Sequence, residues 1–196
     1  MDIPYTVENR PDTGMYNGKL GMWLFLASEV MLFGALFSSY VLLRVNAVDW
    51  PKGTEVLNVP LATVNTLILI GSSFAMLKAW AALKMNDHGA YKKFAWITIA
   101  MGTAFILIKL YEYSDKFGHE LYPSTSTFYA IYFTLTGLHV IHLLIGVLVN
   151  LFHVLFGGKL WASKPGQFTN RIEVTGLYWH FVDLVWLVMF PTLYLI

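Results

Sequence analysis

The sequence predicts an all-α polytopic membrane protein, built as a bundle of five transmembrane helices. Of its 196 residues, 57% are hydrophobic and only 13% are charged, whereas a soluble domain has about 25% charged residues. The mean hydropathy is +0.57. Five apolar runs of about 20 residues are each long enough to cross a hydrocarbon core of about 30 Å as a helix. These observations exclude a soluble globule and leave only short connections.

The apolar runs fix the order of the helices along the chain. Lipid offers no hydrogen-bond partners, so such runs are helices unless they alternate as the strands of a closed barrel do. Residues 23–26 are apolar without alternation, which favours helices. Residues 1–19 are polar and are predicted to form an N-terminal tail rather than a signal peptide, and residues 20–196 a single membrane domain. The predicted spans are residues 20–43, 61–83, 94–113, 128–156 and 174–196.

The distribution of Lys and Arg predicts the orientation. If the tail is cytoplasmic, nine basic residues lie inside and four outside, and cytoplasmic loops are the ones enriched in Lys and Arg. The nine are Arg10, Lys19, Lys78, Lys84, Lys92, Lys93, Lys159, Lys164 and Arg171. The four are Arg44, Lys52, Lys109 and Lys116. We therefore expect the N-terminus in the cytoplasm and the C-terminus outside.

Composition and missing motifs exclude several functions. The net charge of +1, from 13 basic and 12 acidic residues, gives no patch for binding nucleic acid. The absence of Cys excludes disulfides, thiolate metal sites and Cys nucleophiles. Phosphate-loop, zinc-protease and nucleophile-turn motifs are also missing. No catalytic residue is predicted, which leaves a complex subunit, a small transporter or a channel.

Glu29 lies well inside the first span. A charge near the bilayer centre costs at least about 2.5–3.5 kcal/mol on insertion scales, so this carboxyl is expected to hold its proton or find a partner. Proton handling and hydrogen bonding between helices both remain open, and the second is favoured.

The last two spans contain four histidines, and three of them are candidate functional residues. His139 and His142 are three residues apart near mid-membrane, and His180 precedes Asp183 by the same interval. A zinc ion needs three or four ligands and a haem normally needs a ligand from another helix, and no complete set is evident. Interhelical hydrogen bonds are therefore predicted for the first two histidines, and a local pair for His180 and Asp183.

Lys109 and Glu112 are also three residues apart, near the outer end of the third span. We expect them to form a local ion pair, with the Lys side chain reaching the interface.

Aromatic residues near the span ends predict an interfacial belt. They are Trp50, Trp80, Tyr111, Tyr113, Tyr122, Trp161 and Trp179. Glycines within the spans would permit close helix contacts. They are Gly34, Gly71, Gly102, Gly137 and Gly146.

Four motifs carry a resemblance to subunit III of haem-copper oxidases. Residues 21–31, GMWLFLASEVM, resemble the Glu-bearing helix of that family, and residues 111–113, YEY, its Tyr-Glu-Tyr element. Residues 136–142, TGLHVIH, resemble its Thr-Gly-x-His-x-x-His helix, and residues 178–186, YWHFVDLVW, its last helix. The motifs occur in the family's order and extend the resemblance from about Lys19 to the C-terminus. The chain is similar to the five-helix bacterial form, whereas longer members have seven helices and a lipid-filled cleft.

The resemblance implies a non-redox subunit of a cytochrome c oxidase, of aa3 type, which reduces O₂ to water and pumps protons in the bacterial cytoplasmic membrane. Subunit I is then the direct partner. Subunit II, small subunits or a respiratory supercomplex are further expected partners. Haems and copper would belong to partner subunits and none to this chain, whereas phospholipid could bind it.

By the same resemblance, Glu29 is the buried carboxyl of the family, and we expect it to contact His139 or His142. The expected role is to stabilise subunit I and support proton uptake. The candidate residues for that role are Glu29, Glu112, His139, His142, His180 and Asp183. The candidates for lipid binding are Trp23, Glu29, His139 and His142.

Other functions remain open at this stage. Subunit III of a quinol oxidase and an accessory subunit of a nitric oxide reductase share the motifs. An independent proton or ion transporter would use Glu29 and the histidines as a relay, although inverted repeats and broken helices are not evident. A haem-binding electron carrier is the remaining alternative.

Overall fold

The computed structural model describes residues 9–196, and all regular structure within them is helical. The helices are α1 (Asn17–Asn46), α2 (Gly53–Val56), α3 (Val59–Lys84), α4 (His88–Gly118), α5 (Thr127–Phe156), α6 (Gly158–Ser163) and α7 (Pro165–Phe190), followed by a π-helical turn (Pro191–Leu195). Five of these, α1, α3, α4, α5 and α7 with its π-helical turn, have the length and hydropathy of membrane spans. The predicted five-helix, all-α membrane architecture is confirmed.

Short polar side chains cap three of the long helices. Asn58, Asp87 and Ser126 each accept a hydrogen bond from the backbone N–H three residues later, at 3.1, 2.8 and 3.3 Å. Such caps satisfy N–H groups that have no partner within the helix. Asn86, between α3 and α4, has a φ of 59°, a left-handed conformation that Asn tolerates better than most residues. The result is a tight hairpin of α3 and α4.

Several helices extend beyond the predicted spans. α4 begins at His88 and ends at Gly118, whereas the apolar run covers residues 94–113. α7 begins at Pro165 rather than near residue 174. Hydropathy marks only the part of a helix that requires lipid, while the same helix continues into the interface, where polar side chains are hydrated. In the predicted tail, residues 1–8 lie outside the described residues, and residues 17–19 already belong to α1.

α7 is the central helix of the bundle. It packs against α1, α3 and α5, while α3 pairs with α4 and α4 with α5. Trp179 of α7 is fully buried between Gly102 of α4 and Gly146 of α5, where a Cβ would lie 2.7 and 3.0 Å from its ring. The assignment of Trp179 to the interfacial belt is therefore wrong. Because α7 begins earlier than predicted, Trp179 lies in its middle rather than at its end.

α1 lies at the edge of the bundle and contacts only α5 and α7 to any extent. Its buried residues are Leu26, Phe33 and Tyr40, which recur at seven-residue intervals and so define one narrow stripe. Most of its other apolar side chains are exposed. α1 therefore needs lipid or a partner protein over most of its surface.

Candidate functional site

Glu29 and His142 join α1 to α5 near the midpoint of both helices. Oε2 of Glu29 lies 3.0 Å from Nε2 of His142, and both side chains are largely buried. Of the two contacts expected for Glu29, the structure contains the one with His142. The edge of the Phe33 ring packs on the imidazole, with ring centroids 5.4 Å apart.

The second nitrogen of His142 limits the protonation of this pair. Nδ1 lies 2.8 Å from the carbonyl oxygen of Leu138, and a carbonyl can only accept, so Nδ1 carries a proton. Nε2 then either accepts a hydrogen bond from a neutral Glu29 carboxyl or donates one to its carboxylate. In both arrangements the pair has no net charge and holds one proton between the two side chains. This proton can move between them without leaving an isolated charge in the bilayer.

His139 has a different environment from His142. It is fully buried, and neither ring nitrogen has a hydrogen-bond partner among the described residues. Its ring packs against Phe105 and Trp186, with centroids 5.6 and 5.3 Å away. The interhelical hydrogen bond predicted for His139 is therefore absent between the described side chains, and its contacts are aromatic.

His180 and Asp183 do not form the predicted local pair. Nδ1 of His180 lies 2.6 Å from Oγ of Ser73 on α3, so its ring turns toward the neighbouring helix. Asp183 is 5% exposed, and its carboxyl lies beside the same Ser73 hydroxyl. Both side chains therefore meet Ser73 on α3 rather than each other.

Glu112 belongs to a fully bonded buried network. Nζ of Lys109 lies 2.9 Å from Oε2 of Glu112 and donates a second hydrogen bond to the Tyr194 hydroxyl. The hydroxyls of Tyr132 and Tyr194 donate to Oε1 of Glu112 at 2.7 and 2.9 Å. The predicted ion pair is present, but Lys109 is 0% exposed. The expectation that Lys109 reaches the interface is wrong, because the C-terminal turn brings Tyr194 over it.

Two apolar grooves flank α1. On one side, Trp23, Val30 and Leu184 help to line a groove of about 570 Å³ between α1 and α7. On the other side, His142 and Tyr178 lie in a groove of about 410 Å³. Of the four residues expected to bind lipid, Trp23 and His142 therefore line grooves that could take acyl chains. Glu29 and His139 do not line either of these two grooves.

The sequence did not indicate the contacts that join the two ends of α1 to α7 and to the π-helical turn that follows it. At one end, Lys19 Nζ lies 2.6 Å from Glu173 Oε1. Near the other end, the Tyr40 hydroxyl donates to the Thr192 carbonyl at 2.8 Å. The opposite charges of Lys19 and Glu173 were visible in the sequence, but no local pattern pairs residues so far apart. No local pattern in the sequence indicated the second contact.

Within residues 9–196, no group of three His, Asp or Glu side chains lies close enough together to hold a metal ion. The fold and these contacts define a class of integral membrane protein, a five-helix bundle whose polar side chains mainly join helices to one another.

Comparisons with known proteins identify the family. The family model for cytochrome c oxidase subunit III matches residues 11–196. Cytochrome c oxidase subunit 3 of Thermostichus vulcanus is 40% identical over 184 residues, which cover 90% of this chain and 86% of the relative. The chain therefore belongs to the cytochrome c oxidase subunit III family, whose members are accessory subunits of haem-copper oxidases.

Two further relatives carry names other than cytochrome c oxidase subunit 3. The heme-copper oxidase subunit I+III of Aeropyrum pernix is 30% identical over 183 residues, which cover 89% of this chain and 22% of the relative. The cytochrome bo(3) ubiquinol oxidase subunit 3 of Pseudomonas aeruginosa is 30% identical over 180 residues, with 91% of this chain and 85% of the relative covered.

Proposed function

We propose that this chain is subunit III of an aa3-type cytochrome c oxidase, a terminal oxidase that reduces O₂ to water and pumps protons. The observation that carries the proposal is the subunit III family match over residues 11–196. The chain contributes no redox centre, and the haems and copper belong to its partners. A quinol oxidase is the second candidate, because the Pseudomonas aeruginosa relative is named for ubiquinol.

Subunit I is the proposed direct partner. The fused relative from Aeropyrum pernix is named as subunit I and subunit III together, so in that protein the two units occur in one chain and in equal numbers. Subunit II, small subunits and a respiratory supercomplex complete the proposed assembly. It lies in the bacterial cytoplasmic membrane with the N-terminus of this chain inside, which the distribution of basic residues favours.

The proposed contribution of this chain is to stabilise subunit I and to support proton uptake. Glu29 and His142 are the leading residues for proton uptake, because their contact holds an exchangeable proton without net charge. Glu112, His139 and Asp183 are the other buried polar candidates, and His180 is a half-buried one. The grooves beside Trp23 and His142 are the proposed sites for phospholipid chains.

Purification from the native membrane tests this function. The tagged chain is extracted in mild detergent, copurifying proteins are identified by mass spectrometry, and the untagged strain serves as the control. We expect subunits I and II, haem bands in the reduced-minus-oxidised spectrum, and O₂ consumption with reduced cytochrome c. O₂ consumption with quinol alone would select the second candidate. Recovery with nitric oxide reductase subunits, or recovery of the chain alone, would overturn the proposal.

A further inference from the structure

The Ser73 hydroxyl of α3 lies between two titratable side chains of α7. Its Oγ is 2.6 Å from Nδ1 of His180, and the Asp183 carboxyl lies beside it as a second hydrogen-bond partner. His180 and Asp183 are three residues apart, so one turn of α7 presents both of them to α3. All three side chains line a groove of about 200 Å³ between the two helices. We call these three residues the Ser73 cluster.

The hydroxyl of Ser73 has one proton and accepts through its lone pairs. If it donates its proton to Nδ1 of His180, it accepts a hydrogen bond from a protonated Asp183. If it donates to an Asp183 carboxylate, it accepts a hydrogen bond from Nδ1–H of His180. The cluster therefore has two complete arrangements of hydrogen bonds, which differ in the side chains that hold the protons.

The position of the Ser73 cluster in the bilayer limits its charge. The last span covers Pro165–Leu195, and Asp183 lies near its middle, where an isolated charge is costly. In the first arrangement Asp183 is a neutral acid and His180 is neutral with its proton on Nε2. When the Asp183 proton moves to Oγ of Ser73, the Ser73 proton moves to Nδ1 of His180. The products are a carboxylate and an imidazolium, so the net charge stays zero.

His180 connects the Ser73 cluster to its surroundings. Asp183 is only 5% exposed, whereas His180 is half-buried and lines grooves on both the α1 side and the α3 side of α7. A further groove of about 180 Å³ adjoins at His180 and extends to Glu173. Glu173 is roughly 10 Å from His180 along the helix axis, at the end of α7 that pairs with Lys19. Among the described residues that line these three grooves, Glu173, His180 and Asp183 are the titratable ones.

We propose that the Ser73 cluster is a proton-exchanging site, in which Ser73 passes a proton between Asp183 and His180, and His180 exchanges it with the Glu173 end of the groove. The inference rests on the proposed function, in which His180 and Asp183 are candidates for proton uptake, and it adds Ser73 as the residue that couples them. Like the pair of Glu29 and His142, the cluster exchanges a proton without net charge.

Infrared spectroscopy of the purified complex tests the hydrogen bonds of the Ser73 cluster. A protonated carboxyl has a carbonyl-stretching band that a carboxylate lacks, and the loss of a band in Asp183→Asn assigns it. Ser73→Ala should shift that band, because the carboxyl loses its partner. Ser72→Ala is the matched control, since the Ser72 hydroxyl is buried but bonded to Trp179, and it should leave the band in place. A wild-type complex without the band, or a band that Ser73→Ala does not move, would overturn the proposal.

Hydrogen–deuterium exchange of the same band tests the relay. After transfer to D₂O, Ser73→Ala and His180→Phe should each slow the exchange of the Asp183 proton several-fold, because its route passes through both side chains. Ser73→Thr keeps a hydroxyl and should restore the wild-type rate. His139→Phe, which changes a buried histidine outside the cluster, should leave the rate unchanged. A hydroxyl that only held α3 and α7 together would give faster exchange on removal, so unchanged or faster exchange in Ser73→Ala would overturn the relay.

Failure of this proposal can be distinguished from failure of the proposed function. The band and its exchange arise from this chain, so they are measured with whatever proteins copurify. Recovery without subunit I would overturn the proposed function, while a shifted band and slowed exchange would still support the site. Recovery with subunit I and O₂ consumption, but with the band and its exchange unaltered in Ser73→Ala, would overturn the Ser73 site alone.

Discussion

The Lys109 ammonium and the Glu112 carboxylate form an ion pair one helical turn apart, and the two side chains are only 0% and 4% exposed. The pair is stabilised by hydroxyls from two other parts of the chain, Tyr132 on α5 and Tyr194 in the C-terminal turn. Its charges are therefore balanced and hydrogen-bonded inside the protein. A buried ion pair of this kind links three segments of the bundle.

Replacing only one partner of this ion pair should destabilise the protein more than replacing both partners together. Lys109→Met or Glu112→Gln alone leaves one buried charge without its partner, which should lower the free energy of unfolding by about 3–5 kcal/mol. The double variant leaves no unbalanced charge, so its loss should be smaller than the sum of the two. Denaturation of the purified complex in mixed detergent micelles measures all three variants. Additive losses would contradict the pairing.

The contact between Glu29 and His142 should appear as energetic coupling. In a double-mutant cycle, Glu29→Gln and His142→Phe should interact by roughly 0.5–3 kcal/mol, because each removes the partner of the other. His139→Phe is the matched control, since His139 has no hydrogen bond to Glu29, and its effect should add to that of Glu29→Gln within about 0.5 kcal/mol. Unfolding of the purified complex provides the free energies. A cycle with no coupling would exclude the contact in the membrane.

Gly102 should not tolerate a side chain. The Cβ of Gly102→Ala would lie 2.7 Å from the Trp179 ring, whose Nε1 is hydrogen-bonded to Ser72 at 3.1 Å, so the ring is not free to move. We expect a loss of about 1–3 kcal/mol from overpacking. Gly137→Ala is the control, because nothing lies within 4 Å of its Cβ position. The midpoint temperature of the detergent-solubilised complex should fall for the first variant and change little for the second.

The Tyr194 hydroxyl should carry a measurable share of stability. In Tyr194→Phe, Lys109 and Glu112 each lose a hydrogen bond, and bonds to charged groups contribute about 1.5–3 kcal/mol each. The exposed residue Tyr122 provides a conservative control, and Tyr122→Phe should change stability by no more than about 0.5 kcal/mol. The temperature at which this chain separates from the purified complex measures both. Equal behaviour of the two variants would exclude Tyr194 from the network.

The fold class was predictable because hydropathy is a local property. An apolar run long enough to cross lipid must satisfy its own backbone hydrogen bonds, so the run alone specifies a helix and its approximate place. The polar groups inside the spans could be predicted in the same way to need partners or protons. The extra length of α4 and α7 could not be predicted from hydropathy, because these helices continue beyond the apolar residues that require lipid.

The identity of each partner depended on the tertiary structure. Neighbours three residues apart could be paired from the sequence, which was right for Lys109 with Glu112 and wrong for His180 with Asp183. The rotation of α7 decided the second case, because it directs His180 toward Ser73 on another helix. A helix rotates and packs according to all of its neighbours at once, and a single sequence does not list those neighbours.

The sequence by itself therefore determined five membrane-spanning helices and the presence of Glu29, Glu112, four histidines and Asp183 within them. Only the tertiary structure decided that α7 is central, that Glu29 meets His142, and that Asp183 lies beside Ser73 rather than His180. The physical reason is that lipid acts on each segment separately, whereas hydrogen bonds between helices depend on which faces pack together.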